Sequence, residues 1–447
     1  MDEPGQNTPA KKKKTKRSEQ LFDLMEISRR YAVVYGSDQI LDTLLMLYLR
    51  PNALRLAIGA DAYKAWFADP LKRVVLPNQI VFDPTNTHGI ECINTFRGLP
   101  VDPVAGDCSD LLGLLMHLVS ESASDDAGIA QVLNFVLDWM AYPLQYPGAK
   151  MASALVFHGP QGTGKNLFWE AYARIFGEYA TVIGQAQLES IYNDWAKSKM
   201  FVIGDEIAAP NDQQHQKNAL KSLVTSESIQ INEKFQPLRT ERNHANFVFL
   251  SNDNKPLALE RDDRRYLVIY CPPKLTDGLY ERVWQSLEAG AVEALYALLM
   301  ARDLSHFHSH TQPPMTSAKA DLVELGLRPA ERFARVWLTK EIDLPLHACS
   351  TGQLYKAFLA YCRGEGERFP PTQPYFTTAV GKYARGRLST KKTSPSPHEA
   401  GSSVMLWMPA GTGPLDGVRW YDYAQQCLAA FDAPLSRFCS GAKGGDL

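Results

Sequence analysis

What the chain lacks narrows it first. Its seven cysteines, Cys92, Cys108, Cys271, Cys349, Cys362, Cys427 and Cys439, are scattered, and no two stand in C-x-x-C spacing. That excludes a zinc ribbon and a dithiol redox motif, and the odd count suits a reducing compartment. The start, MDEPGQNTPAKKKK, has no apolar core of the kind a secretory signal needs. Apolar runs are short; the stretch around LLMLYL cannot span a bilayer. Neither sign of charge dominates: 47 Lys and Arg against 49 Asp and Glu leave a net charge of -2. Contact with nucleic acid must therefore come from a local basic patch, not from a global field. These absences lead us to expect a cytoplasmic protein with no membrane partner.

What is present is a chain of 447 residues with 45% hydrophobic and 21% charged residues, ordinary for soluble globular proteins. That length gives a prior of roughly two to four domains. Residues 1–20 form a polar, Lys-rich arm with KKKKTKR at 11–17, read as disordered: a solvated tail, a contact to nucleic acid or a nuclear address. Residues 21–145 are expected to form a mostly helical region. Its part up to about residue 75 is helical in pattern, and short strands lie between 79 and 98.

The stretch SALVFHGPQGTGKN at 153–166 organises the middle of the chain. An apolar strand stops at Gly159, a loop of Pro160, Gln161, Gly162, Thr163 and Gly164 leads to Lys165, and a helical pattern begins at once. Glycines let backbone N–H groups turn inward around a phosphate chain, the helix N-terminus adds a positive dipole end, and Lys165 reaches the β- and γ-phosphates. The residue after the lysine is Asn166, where the usual pattern has Ser or Thr; its amide oxygen is also a hard ligand for Mg²⁺.

Four further apolar runs, ATVIG at 180, MFVIG at 200, NFVFL at 246 and YLVIY at 266, complete an expected five-stranded, mostly parallel sheet within residues 146–305. Three of these runs carry chemistry. MFVIG leads into Asp205, expected to hold the Mg²⁺ shell, and Glu206, expected to polarise a water; adjacent residues point to opposite sides of a strand. NFVFL leads into Ser251 and Asn252; Asn252 is expected to bond the γ-phosphate or the water and so sense intact ATP, with an Asx-turn after the strand as the alternative. Arg261, Arg264 and Arg265 precede the last run; they either pair with Asp262 and Asp263 or serve as an arginine finger. Between the second and third runs, SIQINEKFQPLRTER reads as a hairpin with Lys234 and Phe235 at its tip, charge for phosphate and ring for base.

Residues 306–327 are expected as a linker, with His306, His308 and His310 alternating but without partners spaced for a metal site. Residues 328–410 read as helix, helix, basic helix and hairpin, the order of a winged helix. The basic helix is expected to carry Lys382, Arg385 and Arg387, with Lys391 and Lys392 in the wing; a solvated surface helix is the alternative. Residues 411–447 give a helix and a Gly-rich tail.

Taken together, GPQGTGKN, FVIGDE, LKSLVTSESIQINEKF, FLSNDNKPLAL and DDRRY resemble superfamily 3 helicases of the AAA+ class, in particular the helicase part of phage, plasmid and mobile-element primase–helicases. VFDP, INTFRG and WMAYPLQYPGAKM upstream share the likeness, which covers about residues 80–272. The resemblance implies an AAA+ P-loop core in a homo-hexamer with ATP and Mg²⁺ at subunit interfaces. Lys165, Asn166, Asp205, Glu206 and Asn252 would serve one face, and Arg264 or Arg265 the neighbouring one. Lys234 would line a central channel, with 3′ to 5′ translocation on single-stranded or forked DNA. The expected function is an ATP-dependent DNA helicase, with an ATP-regulated ring loader or origin-binding initiator as the alternative. The region before the loop lacks a convincing acid cluster for primase chemistry, so a primase or polymerase is expected as a separate partner.

Overall fold

The computed structural model describes residues 24–207, 214–234, 238–253, 263–394 and 403–441. The basic arm, Phe235, Arg261, Asp262 and the tip of the expected wing lie outside the described residues. The chain divides into two compact units that change over between Lys319 and Ala320.

The first unit opens on a small sheet of β1 (Tyr31–Val34), β2 (Ile40–Asp42), β3 (Leu47–Leu49) and β4 (Val74–Val75), in the order β3-β2-β1-β4. A helical reading of this region up to residue 75 is therefore corrected: among the described residues, only 24–30, Pro51–Ile58 and Ala60–Ala68 are α-helical. Tertiary pairing wins here. Gly36 turns the chain at φ +78°, and buried Asp42 accepts Leu44 N and Leu45 N while pairing with Arg30 at 2.8 Å. A short parallel pair, β5 (Ile80–Val81) and β6 (Ile93–Asn94), comes next, then helices Ser109–Val119 and Asp126–Gln145.

All five expected core strands form: β7 (Ala154–His158), β8 (Ala180–Ile183), β9 (Phe201–Asp205), β12 (Asn246–Ser251) and β13 (Tyr266–Tyr270). Between β9 and β12 lies the antiparallel hairpin of β10 (Ser228–Ile231) and β11 (Arg239–Arg242). The core sheet is parallel throughout, in the order β13-β7-β12-β9-β8. Every residue of β7 is buried, as a central strand covered on both faces requires.

Helix Lys165–Arg174 turns Phe168, Trp169 and Tyr172 into the core, the one-face spacing of a helix on a sheet. Trp169 meets Trp139 and Phe157 edge-on at 6.4 and 5.2 Å, and the Tyr172 hydroxyl donates to Met140 O at 2.8 Å. The helix whose first residue is Lys165 is thus anchored along its length. Helices Leu279–Glu288 and Ala291–Met300 close the unit. The first part of the expected linker, residues 306–316, belongs to this unit: Phe307 joins the core, His306 Nε2 meets Asp138 at 2.9 Å, and the Thr316 hydroxyl donates to Val268 O.

The second unit contains helices Pro329–Leu338, Thr351–Gly364, Gln373–Tyr383 and Trp420–Gly441, and an antiparallel sheet of β14 (Cys349–Ser350), β15 (Leu388–Thr393) and β16 (Val404–Pro409) in the order β14-β16-β15. Phe333, Trp337, Phe358, Phe376 and Trp407 form its core, which Phe431 and Leu435 of the last helix join. No helix among the described residues is long and apolar enough to cross a membrane.

Candidate nucleotide-binding site

The sheet order decides which residues meet. Ser251 lies in register with His158, and Leu250 with both Phe157 and Asp205, so β7, β9 and β12 end together at their carboxyl edge. That edge is where open α/β sheets place ligands. Leaving β7, the chain passes through Gly159 at φ +138°, Gly162 at +79° and Gly164 at +90°, conformations closed to most side chains. A Cβ on Gly159 would stand 2.4 Å from Cys271 O, so only glycine fits there.

Lys165 is buried at 4% exposure. Its ammonium donates to Gly159 O at 3.0 Å and Pro160 O at 2.8 Å, and lies 3.3 Å from Thr163 Oγ1. Burial draws its pKa below the ordinary lysine range, a shift that the Asp205 carboxylate opposes. Burial also pushes the Cys271 thiol up to about 12, so it acts as packing and not as a nucleophile.

Glu206 is exposed and sits at φ +51°, a conformation uncommon for a non-glycine residue. Its N–H is tied to Leu250 O at 2.9 Å, and its carboxylate accepts from Asn252 Nδ2 at 3.3 Å. Asn166, in the first turn of the helix, is half-buried. The loop and Lys165 thus share the sheet's carboxyl edge with Asp205, and Glu206 meets Asn252. Asp205 and Asn166 offer hard oxygen donors of the kind Mg²⁺ takes.

Other candidates lie elsewhere. Arg264 is exposed, and Arg265 pairs with buried Asp263 at 3.3 Å. Both precede Tyr266, which is in register with Ala154 at the start of β7. They stand at the opposite end of the strands, about 16 Å from the loop at ~3.3 Å per residue. Lys234 lies just past the end of β10 in the hairpin turn. The hairpin is held by Asn193, which accepts from Asn232 N and donates to Gln230 O, both at 2.7 Å, and Glu233 beside the turn pairs with Lys197 at 2.9 Å.

In the second unit the expectation of one basic helix is corrected. Lys382 is helical, but the helix stops at Tyr383, and Arg385 and Arg387 lie in the turn that Gly386, at φ +80°, makes toward β15. The helix has already ended at its C-cap Ala384, and Gly386 at positive φ then redirects the chain into the strand. Lys391 and Lys392 lie on β15, and Lys391 sits 5.4 Å over the Trp420 ring.

Sequence reasoning missed Lys274 and Tyr280, which stand against the loop. Their one signal is the pair Pro272-Pro273, which ends a strand that turns out to neighbour β7.

Known proteins resemble this chain in sequence over part of its length and in fold. Residues 157–265 match a family of unknown function, DUF5906. The DNA primase-polymerase of Nitratiruptor phage NrS-1 is 30% identical over 230 residues, covering 49% of this chain and 30% of that protein. The chain therefore spans under a third of this curated relative. Two apo structures of the NrS-1 C-terminal region share the fold. One has a TM-score of 0.64 at 20% identity, covering 88% of this chain and 99% of that one. The other has a TM-score of 0.62 at 19% identity, covering 86% and 98%. These findings correct the main functional expectation: the relative is a primase-polymerase, not a helicase, and the reading of an ATP-dependent 3′ to 5′ DNA helicase is set aside.

Proposed function

We propose that the chain is an ATP-regulated, DNA-binding module of a phage-type replication system in the bacterial cytoplasm. It acts as an origin-binding initiator or ring loader without processive unwinding, beside a primase–polymerase. The observation that carries this reading is the convergence at one sheet edge of the glycine loop and Lys165 with Asp205, Glu206 and Asn252. In an AAA+ type of P-loop core, Gly159, Pro160, Gln161, Gly162, Thr163, Gly164 and Lys165 would hold the phosphates of ATP, and Asn166 and Asp205 would hold Mg²⁺. The bound metal supplies charge neutralisation between phosphate oxygens. The Glu206–Asn252 pair reads the terminal phosphate, since a new anion there competes for the Asn252 amide. The likeness to a phage replication protein supports the DNA side.

DNA would be met at Lys234 and Phe235 of the hairpin. In the second unit, read as a winged helix, it would be met at Lys382, Arg385 and Arg387. Arg264 and Arg265, at the far end of the strands, would serve the site of an adjacent copy in a ring, hexameric by the AAA+ resemblance. The test is binding of Mg·ATP by calorimetry, and of duplex and forked DNA by anisotropy with and without ATP. Lys165→Ala should weaken ATP by about 100-fold, since it removes a buried charge-assisted contact, and should abolish the effect of ATP on DNA affinity. Failure of the unaltered chain to bind ATP, or DNA affinity indifferent to it, would sink the proposal.

A further inference from the structure

We propose that Lys274 is a second cation of this site, holding the phosphate chain of a nucleoside triphosphate from the solvent side of the loop, with Tyr280 as its positioning residue. The inference rests on the nucleotide reading of the site. It starts from strand order. Because β13 lies beside β7, with Tyr270 in register with His158, the chain leaving β13 runs alongside the chain leaving β7. Cys271 N donates to His158 O at 2.7 Å, and Cys271 O closes on Gly159. Pro272 and Pro273 come next; their fixed φ and missing N–H groups keep this passage from pairing elsewhere. They deliver Lys274 to the loop: its Cδ is 3.9 Å from where a Cβ on Gly162 would stand.

Tyr280 fixes the arrangement. Its hydroxyl accepts from Leu275 N at 3.2 Å and donates to Thr163 O at 3.4 Å, so one side chain ties the loop after β13 to the glycine loop. Its ring packs so tightly that a Cβ on Gly164 would lie 2.9 Å from Tyr280 Cε1 and 2.8 Å from Leu114 Cδ1. The Lys274 ammonium rests 5.3 Å over that ring. Lys274 is exposed, and no ion pair among the described residues engages it. An exposed cation–π contact is weak, whereas phosphate forms charge-assisted hydrogen bonds. The ring therefore holds the lysine in place while leaving its charge for an anion. Lys165, buried among the loop carbonyls, and Lys274, exposed beyond Gly162, flank the same short segment from two sides.

The experiment uses the full chain and calorimetric titration with Mg·ATP, Mg·ADP and AMP, alongside thermal melting. Lys274→Ala should weaken ATP about tenfold and leave AMP unchanged, the pattern of a lost phosphate contact. Lys274→Arg should stay within about threefold for ATP, since the charge remains. Tyr280→Phe keeps the ring but removes both hydrogen bonds; it should weaken ATP by about threefold and add nothing to Lys274→Ala, as expected of residues acting as one unit. Unchanged ATP affinity in Lys274→Ala overturns the proposal. So does an equal loss for ATP and AMP, which would make the lysine a support of the fold. Lys165→Ala is run beside these: if it binds ATP like the unaltered chain, the nucleotide reading falls and takes this one with it. Loss in Lys165→Ala with none in Lys274→Ala removes Lys274 alone.

Discussion

Asp83 shows how much one side chain can organise. Its carboxylate accepts from Thr85 N at 3.0 Å, Thr87 N at 2.8 Å and His88 N at 2.9 Å, and from the Thr85 hydroxyl. Burial raises its pKa, yet the donors from Thr85, Thr87 and His88 outweigh that and hold it at about 2. A depressed carboxyl stabilises the fold above its unfolded pKa and loses that contribution as pH falls toward the folded value. The contribution, about 2 kcal/mol at neutral pH, should therefore fade between about pH 4 and 2. Asp83→Asn should lower stability at pH 7 by about 1–2 kcal/mol and flatten the acid limb of the denaturation profile; chemical denaturation across pH checks both. Gly159 makes a second residue-scale case. Gly159→Ala adds a methyl 2.4 Å from Cys271 O at φ +138°, so the loop must shift. ATP affinity should fall by more than about tenfold, with a loss of roughly 2 kcal/mol in stability. A calorimetric titration beside a denaturation curve reads both.

Among the elements, helix Lys165–Arg174 and the β10–β11 hairpin have different tasks. The helix is fastened by fully buried Trp169, which touches Trp139, Phe157, Phe168, Tyr172 and Phe201. Trp169→Ala should cost about 3–5 kcal/mol by leaving a cavity, seen as a lower denaturation midpoint. The hairpin is fastened at Asn193 and Glu233, and Lys234 adjoins that clamp in the turn. Lys234→Ala should weaken DNA binding several-fold, with a smaller salt dependence, and leave ATP affinity unchanged. Equal DNA affinity in anisotropy titrations would take the hairpin out of the interface. At this scale the sequence was readable where strands are buried on both faces: ALVFH, FVIGD, NFVFLS and YLVIY are continuous apolar runs ending in turn chemistry. It was misleading between residues 31 and 49. There β1, β2 and β3 are only three or four residues each, too short to show a period, and pairing with neighbours decides them. Likewise Arg385 and Arg387 continue a helical pattern in the sequence, but the helix ends at Tyr383 and Gly386, at positive φ, turns the chain toward β15.

For the molecule as a whole, the five core strands, the glycine loop with its lysine and the acid-ended strand were all determined by local sequence, because each is a short pattern whose physics is complete within a few residues. The hairpin belongs with them, since its two strands are separated by a short turn. What only the tertiary structure decided is adjacency. Parallel strands are joined by long crossovers, so nothing local says that β13 rather than β8 lies against β7. That choice of neighbour brings Lys274 and Tyr280 onto the loop, while the parallel direction of the strands leaves Arg264 and Arg265 at the opposite edge. Function divided in the same way: motifs pointed to a nucleotide site, while likeness over about half of the chain to a phage primase-polymerase turned the reading away from a helicase. A short motif records what a loop can hold; what is done with it depends on packing and partners that no single stretch of sequence encodes.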